Sequence, residues 1–550
     1  MATSPRKRKA SGVDDSDDGR PSNPLVTPLL TDMYQISMSY AYFTASKHND
    51  PSVFDLFYRK CPFKGEFCVF AGLDECLRLV SSFEYTESDV AYIRTLLPPT
   101  TDEGFFSWLS ALDCRDVKIY AMEEGSLVFP KIPMLRIEGP LGVCQLLETT
   151  LLNLVNFSSL VATNAARMRL AAGPSIKLLE FGLRRAQGPD GAFSASKYAY
   201  LGGFDGTSNV AAGKATGITV QGTHAHAYVM SYTGLGDLKS TEIVTNDSAD
   251  KKVEFVASVL EKRKALGYEN TNDGELAAFI SYAQAYPKGF LALVDTYDTL
   301  QSGVPNYLCV GWALHELGYK SLGIRLDSGD LAYLSQAARA LFKKTDTQIG
   351  ESVFAKDNIV ASNDLNEEVI LSLNRQGHEI NSFGIGTNLV TCQAQPALGC
   401  VYKLVEINSA PRIKLSQEVE KLVIPGKKEV YRFYNSAGNP LLDMMQTASE
   451  PAPRAKQRML VRHAFSENKR AYVTPARVEN LLHLVWDGKK RLSHDSLNVC
   501  RKRCMEQLGK MRPDHIRSTN ATPYKTSVTQ SLYDFIHQLW LENAPVADLS

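Results

Sequence analysis

The 550-residue chain carries 60 Lys and Arg against 60 Asp and Glu, so its formal net charge is zero. A neutral chain with 44% hydrophobic residues is typical of a soluble globular protein and has no overall attraction to nucleic acid or acidic membranes. Its ten Cys residues form no C-x-x-C pair, which favours reduced thiols in a cytoplasmic protein over a disulfide framework.

Residues 1–24 predict a disordered tail. The basic tetrad Arg6–Lys9 is followed by Asp14, Asp15, Asp17 and Asp18, with almost nothing apolar between them. The tetrad fits a nuclear address, which would add a nuclear location to the cytoplasmic one. A solvated tail without an address is the simpler interpretation.

Order is expected from residue 25. Residues 25–145 read as short strands and helices of an α+β region, and residues 145–172 predict one long helix stopped by Gly173-Pro174. The apolar part of this helix contains Thr, Asn and Ser, so it predicts a buried helix and no membrane span. Residues 396–550 return to strands and end in an amphipathic helix.

Residues 146–395 alternate strands with helices, which predicts parallel pairing by right-handed crossovers. About six strands of this kind favour an α/β barrel over a small sandwich. The predicted strands occupy residues 175–182, 218–222, 290–298, 321–327, 358–364 and 380–387.

The ends of these strands share polar and glycine residues, and in a barrel they converge on one rim. Carboxylates there suit a divalent metal with a phosphate substrate, Gly turns offer backbone amides to phosphate, and an Arg can grip a carboxylate. For any single strand end, the alternative is an Arg–Asp ion pair that only closes a turn. The ends read Glu180-Phe-Gly, Gly222-Thr-His-Ala-His, Asp295-Thr-Tyr-Asp, Asp327-Ser-Gly-Asp, Ser362-Asn-Asp and Gly384-Ile-Gly-Thr.

Residues 454–512 hold 15 Lys and Arg against 5 Asp and Glu. A basic run of this kind is found in nucleic-acid-binding proteins. Its aromatic residues are few and it has no binding motif, so a solvated face or a rim that steers phosphates is the preferred interpretation.

In these motifs and their order, over roughly residues 24–545, the chain resembles nicotinate phosphoribosyltransferases, a type II phosphoribosyltransferase family of pyridine-nucleotide salvage. The motifs are Leu30-Thr-Asp-Met-Tyr-Gln, Glu180-Phe-Gly-Leu-Arg-Arg, Gly203-Phe-Asp-Gly-Thr-Ser-Asn, Gly222-Thr-His-Ala-His, Ile324-Arg-Leu-Asp-Ser-Gly-Asp, Ser362-Asn-Asp-Leu, Gly384-Ile-Gly-Thr and Ile424-Pro-Gly-Lys-Lys-Glu-Val-Tyr-Arg.

The resemblance implies an α/β fold, an irregular (β/α) barrel with a second α+β domain built from the N- and C-terminal segments. It implies transfer of phosphoribosyl from phosphoribosyl pyrophosphate to nicotinate, giving nicotinate mononucleotide for NAD biosynthesis. ATP is implied as co-substrate, Mg²⁺ or Mn²⁺ as cofactor, and a homodimer with shared active sites as the assembly. No nucleic-acid or membrane partner is expected.

The resemblance also implies residue roles. Asp295 and Asp327 would be the catalytic carboxylates and metal ligands. Nicotinate would meet Phe181, Thr223, Arg325 and, from the other subunit, Tyr34. The phosphates of the phosphoribosyl group would meet Arg184, Gly384, Gly386 and Thr387.

Histidine 226 is expected to couple ATP hydrolysis to the transfer. As a catalytic residue it would attack the γ-phosphate of ATP and become a phosphohistidine, because neutral imidazole is a competent nucleophile near neutral pH. A histidine that only hydrogen-bonds a substrate phosphate is the alternative. His224 is expected to be structural.

Two other functions stay open at this point. A nicotinamide-specific relative shares the Arg-x-Asp-Ser-Gly-Asp signature, but such relatives carry a carboxylate at the position of Thr223, which is neutral here. A non-catalytic regulatory protein on the same scaffold is the second, and the intact strand ends argue against it.

Overall fold

The computed structural model describes residues 19–416, 418 and 421–544. Most of the predicted tail, including the Arg6–Lys9 tetrad, lies outside this range. Residues 19–24 lie inside it, and Ser22 donates from its backbone and its hydroxyl to the Glu75 carboxylate at 2.9 and 2.8 Å. Packed residues therefore begin before the predicted boundary at residue 24.

The N-terminal segment mixes short strands with helices, as its pattern predicts. Strand β1 is buried along all but its first residue because most of its side chains are apolar. Asp55, which is buried with them, pairs with Lys428 at 2.8 Å. The elements are α1 (Met33–Thr44), β1 (Pro51–Tyr58), β2 (Cys68–Val69), α2 (Leu73–Ser81), α3 (Glu87–Leu96), α4 (Glu103–Ser110), β3 (Lys118–Ala121), β4 (Leu127–Val128), β5 (Leu135–Pro140), α5 (Leu141–Leu146) and α6 (Glu148–Ala172).

The stretch Leu141–Ala172 is long and apolar enough to cross a membrane by length and composition alone. In its most apolar window 61% of the residues are buried inside the protein, and Thr163 and Ser159 there donate to or accept from the backbone of residues 69–71. Its apolar side chains are core contacts of a packed helix.

The middle segment contains the strand–helix repeats. Its elements are β6 (Lys177–Glu180), α7 (Gly188–Leu201), β7 (Gly206–Thr207), α8 (Val210–Thr216), α9 (His226–Met230), β8 (Glu242–Thr245), β9 (Ser248–Glu254), α10 (Phe255–Ala265), α11 (Asp273–Ala285), β10 (Leu291–Leu293), α12 (Val304–Glu316), β11 (Gly323–Leu326), α13 (Leu331–Ile349), β12 (Asn358–Ala361), α14 (Glu367–Gln376), β13 (Ser382–Ile385) and α15 (Thr387–Thr391).

Six strands of this segment form one parallel sheet in the order β10-β11-β12-β13-β6-β7. The predicted strand at 218–222 is wrong, because this stretch contributes only a bridge between Val220 and Thr207. The place beside β6 belongs to β7, where Gly206 allows close approach: a Cβ there would lie 2.8 Å from the carbonyl oxygen of Thr219.

His224 lies at the seam between this stretch and β10. Its Nε2 accepts a hydrogen bond from the backbone N–H of Leu293 at 3.4 Å, and its ring packs against Tyr228 and Tyr282. Burial lowers the pKa of His224 to about 4, so the ring is neutral and can accept this bond. At this seam the His224 side chain accepts a backbone hydrogen bond that, in a closed barrel, would go to the backbone of a neighbouring strand.

A hairpin of β8 and β9, in which Ile243 faces Val253, precedes α10 and is not predicted from the sequence. Alternation of apolar and polar residues over so few positions is a weak signal beside the longer helices α10 and α11 that follow.

The C-terminal segment supplies a second six-stranded sheet, in the order β19-β18-β22-β17-β16-β20, and strands that pair with those of the N-terminal segment. Its elements are β14 (Cys400–Ile407), β15 (Ala410–Pro411), β16 (Lys428–Tyr434), β17 (Pro440–Thr447), β18 (Met459–Arg462), β19 (Arg470–Val473), β20 (Arg477–Asn480), β21 (His483–Trp486), α16 (Leu497–Lys510), β22 (Lys525–Thr529) and α17 (Gln530–Asn543).

A third six-stranded sheet unites the two ends of the chain in the order β15-β14-β1-β5-β3-β21. β1 lies between β5 and β14, with Leu56 paired to Leu135 on one side and to Tyr402 on the other. The predicted fold class, an α/β barrel with a second α+β domain built from both ends, is confirmed.

Many cations of the basic region 454–512 are held in ion pairs. Arg501 pairs with Asp205 of the barrel at 2.8 Å, and Arg491 pairs with Asp74 of α2 at 2.5 Å. These ion pairs, with that of Arg503 and Glu123 at 3.1 Å, fasten α16 and the loop before it to the other two parts of the molecule.

Candidate active site

Asp295 and Asp327 follow the neighbouring strands β10 and β11, so parallel pairing brings them together. Asp295 Oδ2 accepts from the backbone N–H of Asp327 at 2.7 Å and from the Ser328 hydroxyl at 2.6 Å. Its other oxygen, Oδ1, is buried and has no hydrogen-bond partner among the described residues. The rim therefore holds a carboxylate in a fixed orientation with one oxygen unsatisfied.

Arg325 and Ser362 orient the second carboxylate. Asp327 Oδ1 accepts from Arg325 Nη2 at 3.0 Å and from the Ser362 hydroxyl at 2.6 Å, and Arg325 Nε donates to the same hydroxyl at 2.7 Å. Nη1 of Arg325 makes no hydrogen bond in the described part of the chain. The guanidinium carbon lies 5.5 Å from the centre of the Phe181 ring. One N–H edge of Arg325 is thus available beside an aromatic face.

His226 begins α9 and completes this group. Its Nδ1 lies 3.1 Å from the Thr296 hydroxyl, and its Nε2 lies 3.6 Å from Asp327 Oδ2 and 3.9 Å from Asp295 Oδ1. The side chain is 38% exposed, whereas Asp295 is 3% exposed. The imidazole therefore covers the two carboxylates and is itself open to solvent.

The Gly384–Thr387 turn follows β13. A Cβ on Gly384 would overlap the ring of Phe181, so glycine at this position lets the ring lie flat against the strand. Thr387 accepts a hydrogen bond from Arg185 Nη1 at 3.1 Å. Arg184, which the resemblance selects for phosphate, is exposed and makes no hydrogen bond with this turn. The cation beside the predicted phosphate turn is therefore Arg185.

Phe181, Thr223 and Arg325 line one cavity of about 680 Å³ inside the barrel. Tyr34 does not line it. Tyr34 lies on α1, is 48% exposed, and its hydroxyl is 3.5 Å from Glu148. Within a single chain the structure thus brings three of the four predicted nicotinate residues together.

Glu180 is not a rim carboxylate, contrary to the expectation drawn from its strand end. It is buried and accepts hydrogen bonds from the Ser196 hydroxyl at 2.8 Å, the Thr207 hydroxyl at 2.6 Å and the Gly182 backbone. Asp330 accepts from the Tyr333 backbone at 3.0 Å as the N-cap of α13. Both acids stabilise the fold around the site.

Comparisons with known proteins assign the chain to a family. Sequence profiles of the nicotinate phosphoribosyltransferase N-terminal domain, the family itself and its C-terminal domain match residues 29–156, residues 176–287 with 314–448, and residues 427–536. The chain belongs to the nicotinate phosphoribosyltransferase family.

Individual relatives cover nearly the whole chain. Nicotinate phosphoribosyltransferase 2 of Arabidopsis thaliana is 55% identical over 540 residues, 96% of this chain and 97% of the relative. The nicotinate phosphoribosyltransferase of Dictyostelium discoideum is 54% identical over 539 residues, 96% and 91% of the two chains. The crystal structure of human nicotinic acid phosphoribosyltransferase, 40% identical, superposes with a TM-score of 0.83 and covers 93% of this chain and 99% of that one.

The oxygen atoms on the rim bear on the Mg²⁺ that the family resemblance implies. Across the described residues no group of three or more His, Cys, Asp or Glu side chains could hold a metal ion. Mg²⁺ is commonly held by one or two carboxylates together with phosphate and water oxygens. The unsatisfied Asp295 Oδ1 and the neighbouring Asp327 Oδ2 fit that pattern, in which a phosphate substrate supplies the missing ligands.

Four orienting side chains escaped the sequence analysis: Ser328, Ser362, Thr296 and Arg185. All four lie inside motifs that were recognised in the sequence, so the motifs marked their neighbourhood. Hydroxyl residues are common at strand ends and helix starts, and nothing in their spacing distinguishes a carboxylate-orienting Ser from a capping one.

Proposed function

We propose that the protein transfers phosphoribosyl from phosphoribosyl pyrophosphate to nicotinate, giving nicotinate mononucleotide and pyrophosphate in NAD salvage, with ATP hydrolysis coupled to the transfer. Arg325 carries this proposal. Its N–H edge without a partner lies beside the Phe181 ring and next to the two rim carboxylates, which matches a planar ring with a carboxylate substituent.

In this mechanism Phe181 stacks on the pyridine ring and Arg325 pairs with its carboxylate. The ring nitrogen is thereby presented to C1′ of the ribose, where the C–N bond forms as the C–O bond to pyrophosphate breaks. Positive charge develops on the sugar, and Asp295 and Asp327 supply negative charge nearby. Asp295 Oδ1 and Asp327 Oδ2 would hold Mg²⁺, which when bound would neutralise charge on the pyrophosphate.

The ATP step is assigned to His226. With Nδ1 at the Thr296 hydroxyl, Nε2 carries the free lone pair in the Nδ1–H tautomer. Its attack on the γ-phosphorus would form an N–P bond, break the bond to the β-phosphate oxygen and release ADP. The phosphate group on His226 would add negative charge and acceptors beside the carboxylates and the metal. Hydrolysis of the N–P bond would complete the cycle.

The assembly is proposed to be a homodimer in which Tyr34 completes the partner's nicotinate pocket. The position of Tyr34, half-exposed on α1 and absent from the cavity of its own chain, supports this arrangement. Mixing the inactive variants Tyr34→Ala and Asp327→Ala should restore part of the activity through hybrid dimers. A monomer at working concentration, or no recovery despite subunit exchange, would count against shared sites.

Substrate choice tests the proposal directly. Product formation from nicotinate, nicotinamide and quinolinate should be measured with and without ATP. Nicotinate should be used far better than the other two, and ATP should stimulate its use. If nicotinamide is preferred, the protein is a nicotinamide-specific phosphoribosyltransferase in spite of the neutral Thr223. No product from any of them would favour a regulatory role.

A label from [γ-³²P]ATP tests the His226 step. Acid-labile, base-stable label should appear on the wild-type protein, and His226→Ala should lose both the label and the ATP stimulation while keeping a slow ATP-independent reaction. His224→Gln is the matched control, since His224 lies at the seam and should not take the label. Label that persists in His226→Ala would move the phosphorylated residue elsewhere.

A further inference from the structure

The cavity that contains Phe181 and Arg325 continues along the barrel axis to the opposite end. The lining residues come from both ends of the strands. Lys177 begins β6 and Phe181 directly follows it, while Leu322 directly precedes β11 and Arg325 lies within it. Four residue steps along β6 correspond to about 13 Å. Barrels of this class ordinarily fill this space with layers of side chains. Here it is an open lumen of about 680 Å³.

Small side chains and the seam explain why the lumen stays open. Gly222, Gly289 and Ser382 are lining positions without bulky groups. At the seam the Val220 stretch makes only one bridge to the sheet, so the barrel lacks a full strand of inward side chains there. The lumen follows from the irregularity of the barrel.

The lumen meets solvent at its amino-terminal end. Lys177 and Asn358 are exposed there, Tyr286 is 58% exposed and Leu322 is 39% exposed. At the carboxyl-terminal end Thr223 is exposed. The lining therefore reaches solvent on both sides of the barrel.

The lining is positive and partly aromatic. Its charged members among the described residues are Lys177 and Arg325, and it contains no carboxylate. The Lys177 ammonium makes no hydrogen bond or ion pair within the described part of the chain. Three aromatic rings, those of Phe181, Tyr282 and Tyr286, also face the cavity. These features match a small planar anion, with one cation at each end of the path.

We propose that the lumen is a separate entrance for nicotinate, with Lys177 as an outer anion subsite through which the substrate passes to Arg325. The inference rests on the proposed function. Phosphoribosyl pyrophosphate and ATP are large anions that would occupy the carboxyl-terminal rim. A path through the barrel lets nicotinate reach Arg325 without passing their phosphates. The mononucleotide, whose ribose phosphate lies on the rim, leaves from the rim.

Charge exchange at Lys177 tests the path. Lys177→Cys should raise the KM for nicotinate by about tenfold or less, as expected for one lost steering charge, with kcat and the KM for phosphoribosyl pyrophosphate unchanged. An aminoethyl methanethiosulfonate adduct, which restores a cation, should return KM to the wild-type value. A sulfonatoethyl adduct should raise it further, and a benzyl adduct should lower kcat/KM by obstructing the opening.

Lys288→Cys is the matched control, because Lys288 is an exposed lysine near the same opening that does not line the lumen. Wild type treated with the same reagents controls for the native cysteines. The lumen path is wrong if the KM for nicotinate of Lys177→Cys is the same with the positive and the negative adduct. It is also wrong if the same adducts change the KM of Lys288→Cys equally. If wild type makes no nicotinate mononucleotide, the proposed function fails instead.

The order of addition gives a second measurement. In rapid-quench experiments nicotinate should associate with enzyme preloaded with phosphoribosyl pyrophosphate and ATP at least as fast as with free enzyme. Entry through the rim predicts strong slowing by the preloaded ligands, and that result would overturn the proposal.

Discussion

Two Arg–Asp pairs in this molecule have the same chemistry and opposite surroundings. Arg432 and Asp443, at 3% and 0% exposure, join β16 to β17 through two bonds of 2.7 and 2.8 Å. The remaining donors of Arg432 meet the Leu127 carbonyl and Gln507, and Asp443 also accepts from the Tyr524 hydroxyl. Although burial opposes it, Asp443 raises the pKa of Arg432 above its ordinary value.

Arg325 and Asp327 on the barrel rim are 17% and 22% exposed and incompletely satisfied. Arg325 keeps one N–H edge without a partner, and the neighbouring Asp295 keeps a buried oxygen without one. Buried polar groups in folded proteins are nearly always paired. Here an unpaired donor and an unpaired acceptor lie close together on the rim, where a bound ligand can supply the partner of each. The completed pair stabilises the fold, and the incomplete pair is available for substrate.

Breaking the completed pair should have the largest effect. Asp443→Ala leaves the Arg432 guanidinium buried without its counter-ion, which should cost about 3–5 kcal/mol of unfolding free energy. Urea denaturation followed by fluorescence measures it. Asp327→Asn, the rim counterpart, should change stability by less than about 1 kcal/mol while removing most turnover. Equal destabilisation by the two variants would erase the proposed distinction.

Arg325→Ala should reduce kcat/KM for nicotinate by about 30-fold to 1000-fold, equivalent to about 2–4 kcal/mol for a charge-assisted pair. Its melting temperature should stay near that of wild type. Arg325→Lys is the control, since it keeps the charge but loses the planar pair of N–H groups, and its activity should lie between the two. A variant that melts early with nicotinate use otherwise intact would make Arg325 structural.

Glu275 is a third kind of acid, buried behind the rim, where it accepts from the Ser302 hydroxyl at 2.6 Å and from Asn306 at 3.0 Å. Burial, with a contribution from the charge of Asp295, raises the pKa of its carboxyl to about 7 from 4.5. The folded state therefore holds a proton that the unfolded state releases between pH 4.5 and 7, so this contribution to stability is lost as pH rises through that window.

Glu275→Gln should remove that pH dependence, flattening the decline in unfolding free energy between pH 5 and 8 by roughly 1–3 kcal/mol. Denaturant titrations at several pH values without added metal measure it. Glu269→Gln, at an exposed position on the preceding loop, should leave the wild-type slope unchanged. A slope that persists in Glu275→Gln would assign the proton to another group.

The smallest effect is expected at the tandem arginines. Arg185→Ala removes the cation bonded to Thr387 and should raise the KM for phosphoribosyl pyrophosphate about fivefold, or about 1 kcal/mol. Arg184→Ala should raise it less. A larger increase in this KM for Arg184→Ala than for Arg185→Ala would assign the phosphate contact to Arg184.

The convergence of Asp295, Arg325, Asp327 and His226 could be predicted from the sequence. Asp295 and Asp327 follow strands of the strand–helix repeats and Arg325 lies within one, and parallel strands place such positions on one rim. His226 follows the stretch 218–222, which makes only one bridge to the sheet but leads to the same rim. The choice between Arg184 and Arg185 could not, because adjacent residues after a strand point in directions that only the following turn decides. Arg184 was taken from the resemblance, whereas the observed contact depends on the short helical turn over residues 183–185.

The local sequence pattern predicts neither strand β7 nor the sheet that joins the two ends of the chain. Gly206–Thr207 is too short to show alternation, whereas Ile218–Val220 has the apolar pattern but makes only one bridge. The pairing of β1 with β14 joins segments on either side of the barrel, and no periodicity within either segment records its partner. That part of the prediction came from family resemblance.

The position of β1 has a consequence for synthesis. β5 is made soon after β1, but β14 leaves the ribosome only after the whole barrel, on the order of tens of seconds later at about 5–20 residues per second. Until then one long edge of an almost wholly apolar strand has no partner, the kind of edge that recruits other chains. A stop codon before residue 400 therefore leaves the N-terminal domain open to aggregation and proteolysis.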